Sequence, residues 1–181
     1  MCPRGLIPYM GWFSRGFPNK RWAMPSLLDM MNGTVNLCGK LPFSSPKRLE
    51  NNPSFGNFPT TRDLVVECSE RVHVGYRHYL TKGIETQFAF GSGLSYTSFE
   101  LSNLRMSPSD GFPLVSVDVR NTGKVDGAEV VQVYVESPLK ELKAFDKVYL
   151  KAGESKKVEI ALDKYAFSHW DEALDKWVVK A

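Results

Sequence analysis

The sequence is poor in several features that would place it quickly. It has three cysteines, Cys2, Cys38 and Cys68, an odd number at wide spacing with no Cys-x-x-Cys pair. That spacing suggests neither a disulfide framework nor a zinc site; a single Cys38–Cys68 bridge and free thiols are both open. No apolar run approaches the roughly 18 residues of a membrane span. The opening apolar stretch is short and broken by Pro8 and Gly11, unlike a secretory leader. Charge of one sign is also scarce: 23 basic against 20 acidic residues give a net charge of +3. Past residue 40 only Lys47-Arg48 and Lys156-Lys157 are adjacent, whereas nucleic-acid binders concentrate basic residues on one face. Nucleic-acid binding is therefore not expected.

Catalytic and metal signatures are missing too. The three histidines are His73, His78 and His169, and the first two are five apart rather than at the helical spacing of a metal pair. No Gly-x-Ser-x-Gly elbow occurs; Gly91-Ser92-Gly93 lacks the final glycine. Asn121-Thr-Gly-Lys124 reads as a turn between strands, not a phosphate loop. No cofactor and no metal are implied. Asn32-Gly33-Thr34 is a glycosylation sequon, relevant only to a secreted protein.

What is present is a globular composition, 43% hydrophobic and 12% aromatic over 181 residues. That suffices for one domain with an appendage. Three stretches differ. Residues 1–40 are rich in Gly, Pro, Met and Trp, with a short helix expected over Pro25–Met31, Pro25 in its first turn and Gly33 past its end. Residues 41–97 are loop-like, punctuated by Pro42, Pro46, Pro53 and Pro59. Their interleaved aromatics, Phe43, Phe55, Phe58, Tyr76, Tyr79, Phe88, Phe90 and Tyr96, predict an ordered connector that clamps onto its neighbours. From residue 98 the period becomes two. Val115, Val117 and Val119 share one strand face, as do Val131, Val133 and Val135, and Val158, Ile160 and Leu162. Turns are expected at 121–124, Ser137-Pro138 and 151–154. The pattern is that of a mainly β, antiparallel sandwich.

Several segments are similar to the closing region of family 3 glycoside hydrolases. Asn121-Thr-Gly-Lys-Val-Asp-Gly-Ala128 followed by Glu129-Val-Val-Gln-Val-Tyr-Val135 resembles its fibronectin type III-like domain, as do 139–154 and Ser168-His-Trp-Asp171. Phe88-Ala-Phe-Gly-Ser-Gly-Leu-Ser-Tyr-Thr97 resembles the segment leading into that domain, with Ser92 where the family often has His or Tyr. Val74–Tyr79 and Gly39-Lys-Leu-Pro42 are similar to the end of the second domain and its linker, and Lys47–Phe58 to the fungal β-glucosidases. The resemblance covers roughly residues 33–181. Upstream, Lys20-Arg21-Trp22 and Met24-Pro25 depart from it.

The resemblance implies a fibronectin type III/immunoglobulin-like sandwich over 98–181, lacking its last strand. Ahead of it come an aromatic-rich linker over 41–97 and a loop-rich, degenerate remnant of an α/β domain over 1–40. It implies a parent β-glucosidase that hydrolyses terminal non-reducing β-D-glucosyl residues, in a family that is often extracellular. The location of this chain itself is left open. The parent nucleophile is an Asp in Ser-Asp-Trp on a barrel of about 250 residues; here the only Ser-Asp is Ser109-Asp110, before Gly111. The acid/base Glu belongs upstream. No catalytic residue is therefore expected, and the chain is expected to be an inactive scaffold on its own. An open sheet edge would allow self-association.

Alternative readings are a carbohydrate-binding module using Tyr165, Phe167 and Trp170, or an extracellular interaction module. The remaining carboxylates have plainer expectations. Asp171 and Glu172 should form a turn before the last strand, with Trp170 and Trp177 on the sandwich. Asp63, Glu67 or Glu70 should pair with Arg77.

Overall fold

The computed structural model describes residues 20–58, 69–108, 112–136 and 139–179, with side chains from Pro25 onward. Its first element is a helix, α1 (Lys20–Met31), with Pro25 inside it. The expected start at Pro25 is therefore corrected: the helix begins five residues earlier, and the proline removes one backbone donor from its second turn. Its end is as expected. Gly33 takes φ +76° just past the last turn, and the Thr34 amide reaches back to the Asp29 carbonyl at 2.9 Å.

The connector is more regular than its prolines suggest. A short pair joins β1 (Ser45–Pro46) to β2 (Thr86–Phe88), and a 3-10 turn spans Leu49–Asn51. Between them lies α2 (Tyr76–Lys82), bounded by two glycines at positive φ, Gly75 and Gly83. Gly83 at φ +61° ends the helix in the left-handed region. No proline falls in 60–97, so none interrupts a helix there.

The rest is antiparallel β, of the fibronectin type III-like kind. One sheet orders β3 (Phe99–Ser107), β4 (Leu114–Asn121) and β7 (Ser155–Ala161) as β3-β4-β7. A second pairs β5 (Gly127–Glu136) with β6 (Lys140–Leu150). A hairpin, β8 (Ser168–Asp171) with β9 (Lys176–Val179), follows. The valines of β4 fill the space between the two sheets. Val117, Val119, Val131, Leu150, Val158 and Ile160 form one buried cluster, with Val133 packed against it. Period-two alternation fixes this parity, because a one-residue slip would turn every valine outward. Lys157, Glu159 and Ala161 face solvent as expected. The turns at 121–124 and 151–154 form; the one expected at Ser137-Pro138 lies outside the described residues.

Candidate functional site

The polar side chains that cross between elements gather at the joint where the connector meets the sandwich. Two glycines allow the close approach. Gly91 sits at φ +77°, and a Cβ there would come within 2.6 Å of the Gln132 amide on β5. A Cβ on Gly93 would collide with the Gly39 carbonyl oxygen. So the Gly-Ser-Gly segment, unfit as a nucleophile elbow, lets two connector passes lie against each other: the Leu41 amide bonds the Ser92 carbonyl at 2.9 Å, and the Gly91 amide bonds the Leu41 carbonyl at 2.8 Å.

Side chains then pin the connector to β5 and β6. Lys40 pairs with Glu129 at 2.6 Å. Arg77 Nη1 donates to Glu141 Oε1 at 2.7 Å, and Lys143 donates to Oε2 at 2.8 Å. The Lys143 hydrogen bond, ahead of Arg77, holds the Glu141 carboxyl below its usual range despite the burial that opposes it. Among the described residues the carboxylate that pairs with Arg77 is Glu141 on β6 and not Glu70; Asp63 and Glu67 lie outside the described residues. The Tyr76 hydroxyl accepts the Leu142 amide at 2.8 Å, and its ring stacks on Phe90 at 4.6 Å and meets Tyr134 edge-on at 6.2 Å. Burial, then Tyr76, pushes the Tyr134 phenol above its usual pKa.

Two asparagines complete the joint: Asn36, which no sequence pattern marks, and Asn121, which the sequence marks only as the start of a turn. Asn36 donates to the Asp126 carbonyl at 2.9 Å and accepts from the Ser95 hydroxyl and the Tyr96 amide. The Tyr96 hydroxyl reaches the Met30 carbonyl of α1 at 2.6 Å. Asn121, fully buried, accepts from the Thr97 hydroxyl at 2.5 Å and donates to the Val125 and Leu150 carbonyls.

The other candidates are not brought together. Asp171 accepts the Ala173 and Leu174 amides at 2.9 and 3.1 Å, the turn role expected of it, and Glu172 is exposed in that turn. Trp170 and Trp177 do not lie in the buried clusters of the sandwich. They pack on each other, T-shaped at 5.8 Å, with Tyr165 against Trp177 at 4.9 Å, and both tryptophans stay nearly half exposed. Phe167 is exposed as well. His78 is buried edge-on to Tyr79, and burial, then Lys82, lowers its pKa. His169 lies on β8, far along the chain from His73 and His78. Among the described residues no group of three His, Cys, Asp or Glu side chains could hold a metal. Cys38 is free, its sulfur accepting from Lys147 at 3.0 Å; Cys2 and Cys68 lie outside the described residues, as do Ser109 and Asp110.

A fibronectin type III-like domain profile matches residues 129–181. The thermostable β-glucosidase B of Acetivibrio thermocellus is 45% identical over an alignment 167 positions long, which covers 86% of this chain and 22% of that protein. The probable β-glucosidase I of Aspergillus fumigatus is 44% identical over 83% of this chain and 20% of its own length. A crystal structure of a family 3 β-glucosidase from Bifidobacterium adolescentis superposes with a TM-score of 0.81 at 38% identity, over 88% of this chain and 25% of that one. This chain is similar to a C-terminal portion of family 3 β-glucosidases. It spans about a fifth of the length of the curated relatives it matches. The matches to relatives cover more than 80% of this chain and so reach well beyond residues 129–181.

Proposed function

We propose that the chain serves as the non-catalytic C-terminal scaffold of a β-glucosidase, the parent enzyme releasing terminal β-D-glucosyl residues. The observation that carries this reading is the extent of the match, most of this chain but about a fifth of each relative. Residue chemistry supports it. Retaining glycosidases need two carboxyl groups about 5 to 5.5 Å apart, one free to attack and one to exchange a proton. Here Glu141 is held by Arg77 and Lys143, Glu129 by Lys40, and Asp171 by turn amides. Glu154 accepts the Lys151 amide. These groups hold the joint and the turns in shape; a β-glucoside would be cleaved by the remainder of the parent. The test is hydrolysis of a nitrophenyl β-glucoside by the purified chain. No release above buffer is expected, and turnover abolished by replacing one carboxylate of this chain would overturn the reading.

One observation favours a second role. Trp170 and Trp177 on the β8–β9 hairpin, with Tyr165 in the turn before it, present exposed rings, a surface on which a sugar ring can stack. Saturable quenching of tryptophan fluorescence by cellobiose or laminarin, lost in Trp170→Ala, would support sugar contact; a flat titration would leave only the scaffold.

A further inference from the structure

The joint also brings two reactive side chains together. The Lys147 amine lies 3.0 Å from the sulfur of Cys38, a residue 109 positions earlier in the chain. Lys147 is exposed on the outer face of β6, since Val148 beside it packs against the core. Both partners are placed by their neighbours. Cys38 sits midway between Asn36 and Lys40, and each of these is tied to the sandwich. Asn36 donates to the Asp126 carbonyl at 2.9 Å, and Lys40 pairs with Glu129 at 2.6 Å. Lys147 pairs across the sheet with Val130, the residue after Glu129, so one stretch of β5 sets both ends. Its amine also rests 5.4 Å from the centre of the Tyr149 ring. The sulfur is within reach of solutes. Cys38 is only partly buried and lines an open cavity of about 420 Å³ with Asn36, Asp126, Tyr149 and Lys156.

We propose that Cys38 and Lys147 form a redox pair, which hydrogen peroxide converts into a reducible sulfur–nitrogen bridge to β6. The proposal does not rest on the scaffold reading. A partly exposed sulfur beside a lysine ammonium is the setting in which thiols are oxidised. Peroxide transfers one oxygen to the sulfur, giving sulfenic acid and water. Sulfenic sulfur is electrophilic and condenses with a thiol or a nitrogen held against it. Among the described residues there is no second thiol, and the nucleophile in contact is the Lys147 amine. The hydrogen bond to Cys38 holds the Lys147 pKa above its ordinary value, so the ammonium must first give its extra proton to solvent. The nitrogen lone pair then attacks sulfur, the S–O bond breaks, and hydroxide leaves as water with a second proton from the nitrogen. Overall the pair loses two hydrogens and peroxide becomes two waters. The bridge closes the long loop from Cys38 to Lys147 and so restricts the unfolded chain more than the folded one. Oxidation therefore tightens the joint, and a thiol reductant releases it.

The test treats the full 181-residue chain with hydrogen peroxide and maps it by peptide mass spectrometry without reduction. The expected product joins the Cys38 and Lys147 peptides at a mass two hydrogens below their sum, and dithiothreitol separates them. The melting temperature of the bridged chain should rise by about 5 °C or more. Lys147→Arg keeps the charge at an exposed position but removes the amine. It should form no bridge, and its Cys38 should pass on to sulfinic acid. Three results overturn the proposal. One is Cys38 reaching sulfinic acid in the native chain with no link to Lys147. The second is a disulfide from Cys38 to Cys2 or Cys68 in place of the bridge, and the third is an undiminished bridge in Lys147→Arg. A bridge that leaves the melting temperature unchanged overturns the tightening of the joint.

Discussion

At the scale of single residues, the core and the joint depend on different physics. Val119 is fully buried among apolar side chains, and Val119→Ala removes two methyl groups from a packed cluster. A loss of about 2 kcal/mol is expected from transfer plus cavity, read by urea unfolding. Asn121 is equally buried but polar. Asn121→Ala strands the Thr97 hydroxyl and two carbonyls, and should cost about 3 kcal/mol as several groups lose partners at once. A change below about 0.5 kcal/mol would show that water replaces the side chain. The first residue is legible in the sequence, because its alternation with Val115 and Val117 declares the buried face. The second is not. Its partners Thr97 and Leu150 are 24 and 29 positions away, and no local pattern encodes such a meeting.

At the scale of elements, the long alternating strands could be read from sequence and the short elements could not. Seven residues of α2 between two glycines carry too little periodicity to stand out, and such a helix is marginal without a partner. Its partner is β6, through Arg77 to Glu141 and Tyr76 to Leu142. Glu141→Gln should loosen this docking by about 0.5–1 kcal/mol, since the ion pair is partly exposed. The pH dependence has a definite sign. The Glu141 carboxyl titrates lower in the folded chain than its ordinary 4.5, so its contribution is present above pH 4.5 and is lost as pH falls through the lower folded value. Thermal melts should fall more steeply over that acidic range for the native chain than for Glu141→Gln. Equal slopes would place the acid sensitivity elsewhere. On β5, Val133→Asp should unfold the sandwich, because an unpaired charge would face the Val117–Val119 cluster. Lys157→Ala, on the outer face of β7, should change stability by less than about 0.5 kcal/mol. If circular dichroism shows Val133→Asp to be harmless, the inward parity of β5 is misassigned.

At the scale of the whole molecule, a scaffold must behave as one body. Arg77–Glu141, Tyr76–Leu142 and Asn121–Thr97 cross from connector to sandwich, and Lys40–Glu129 ties the residue just ahead of the connector to β5. If these contacts act together, the connector has no independent stability and opens only when the sandwich does. Native-state hydrogen exchange tests this most directly, by comparing the amides of α2 and Leu142 with those of β4 in one experiment. The account predicts a common opening free energy that falls in parallel in Asn121→Ala. Rapid exchange throughout α2 beside a fully protected β4 would contradict it, and would leave the sandwich alone as the folded unit.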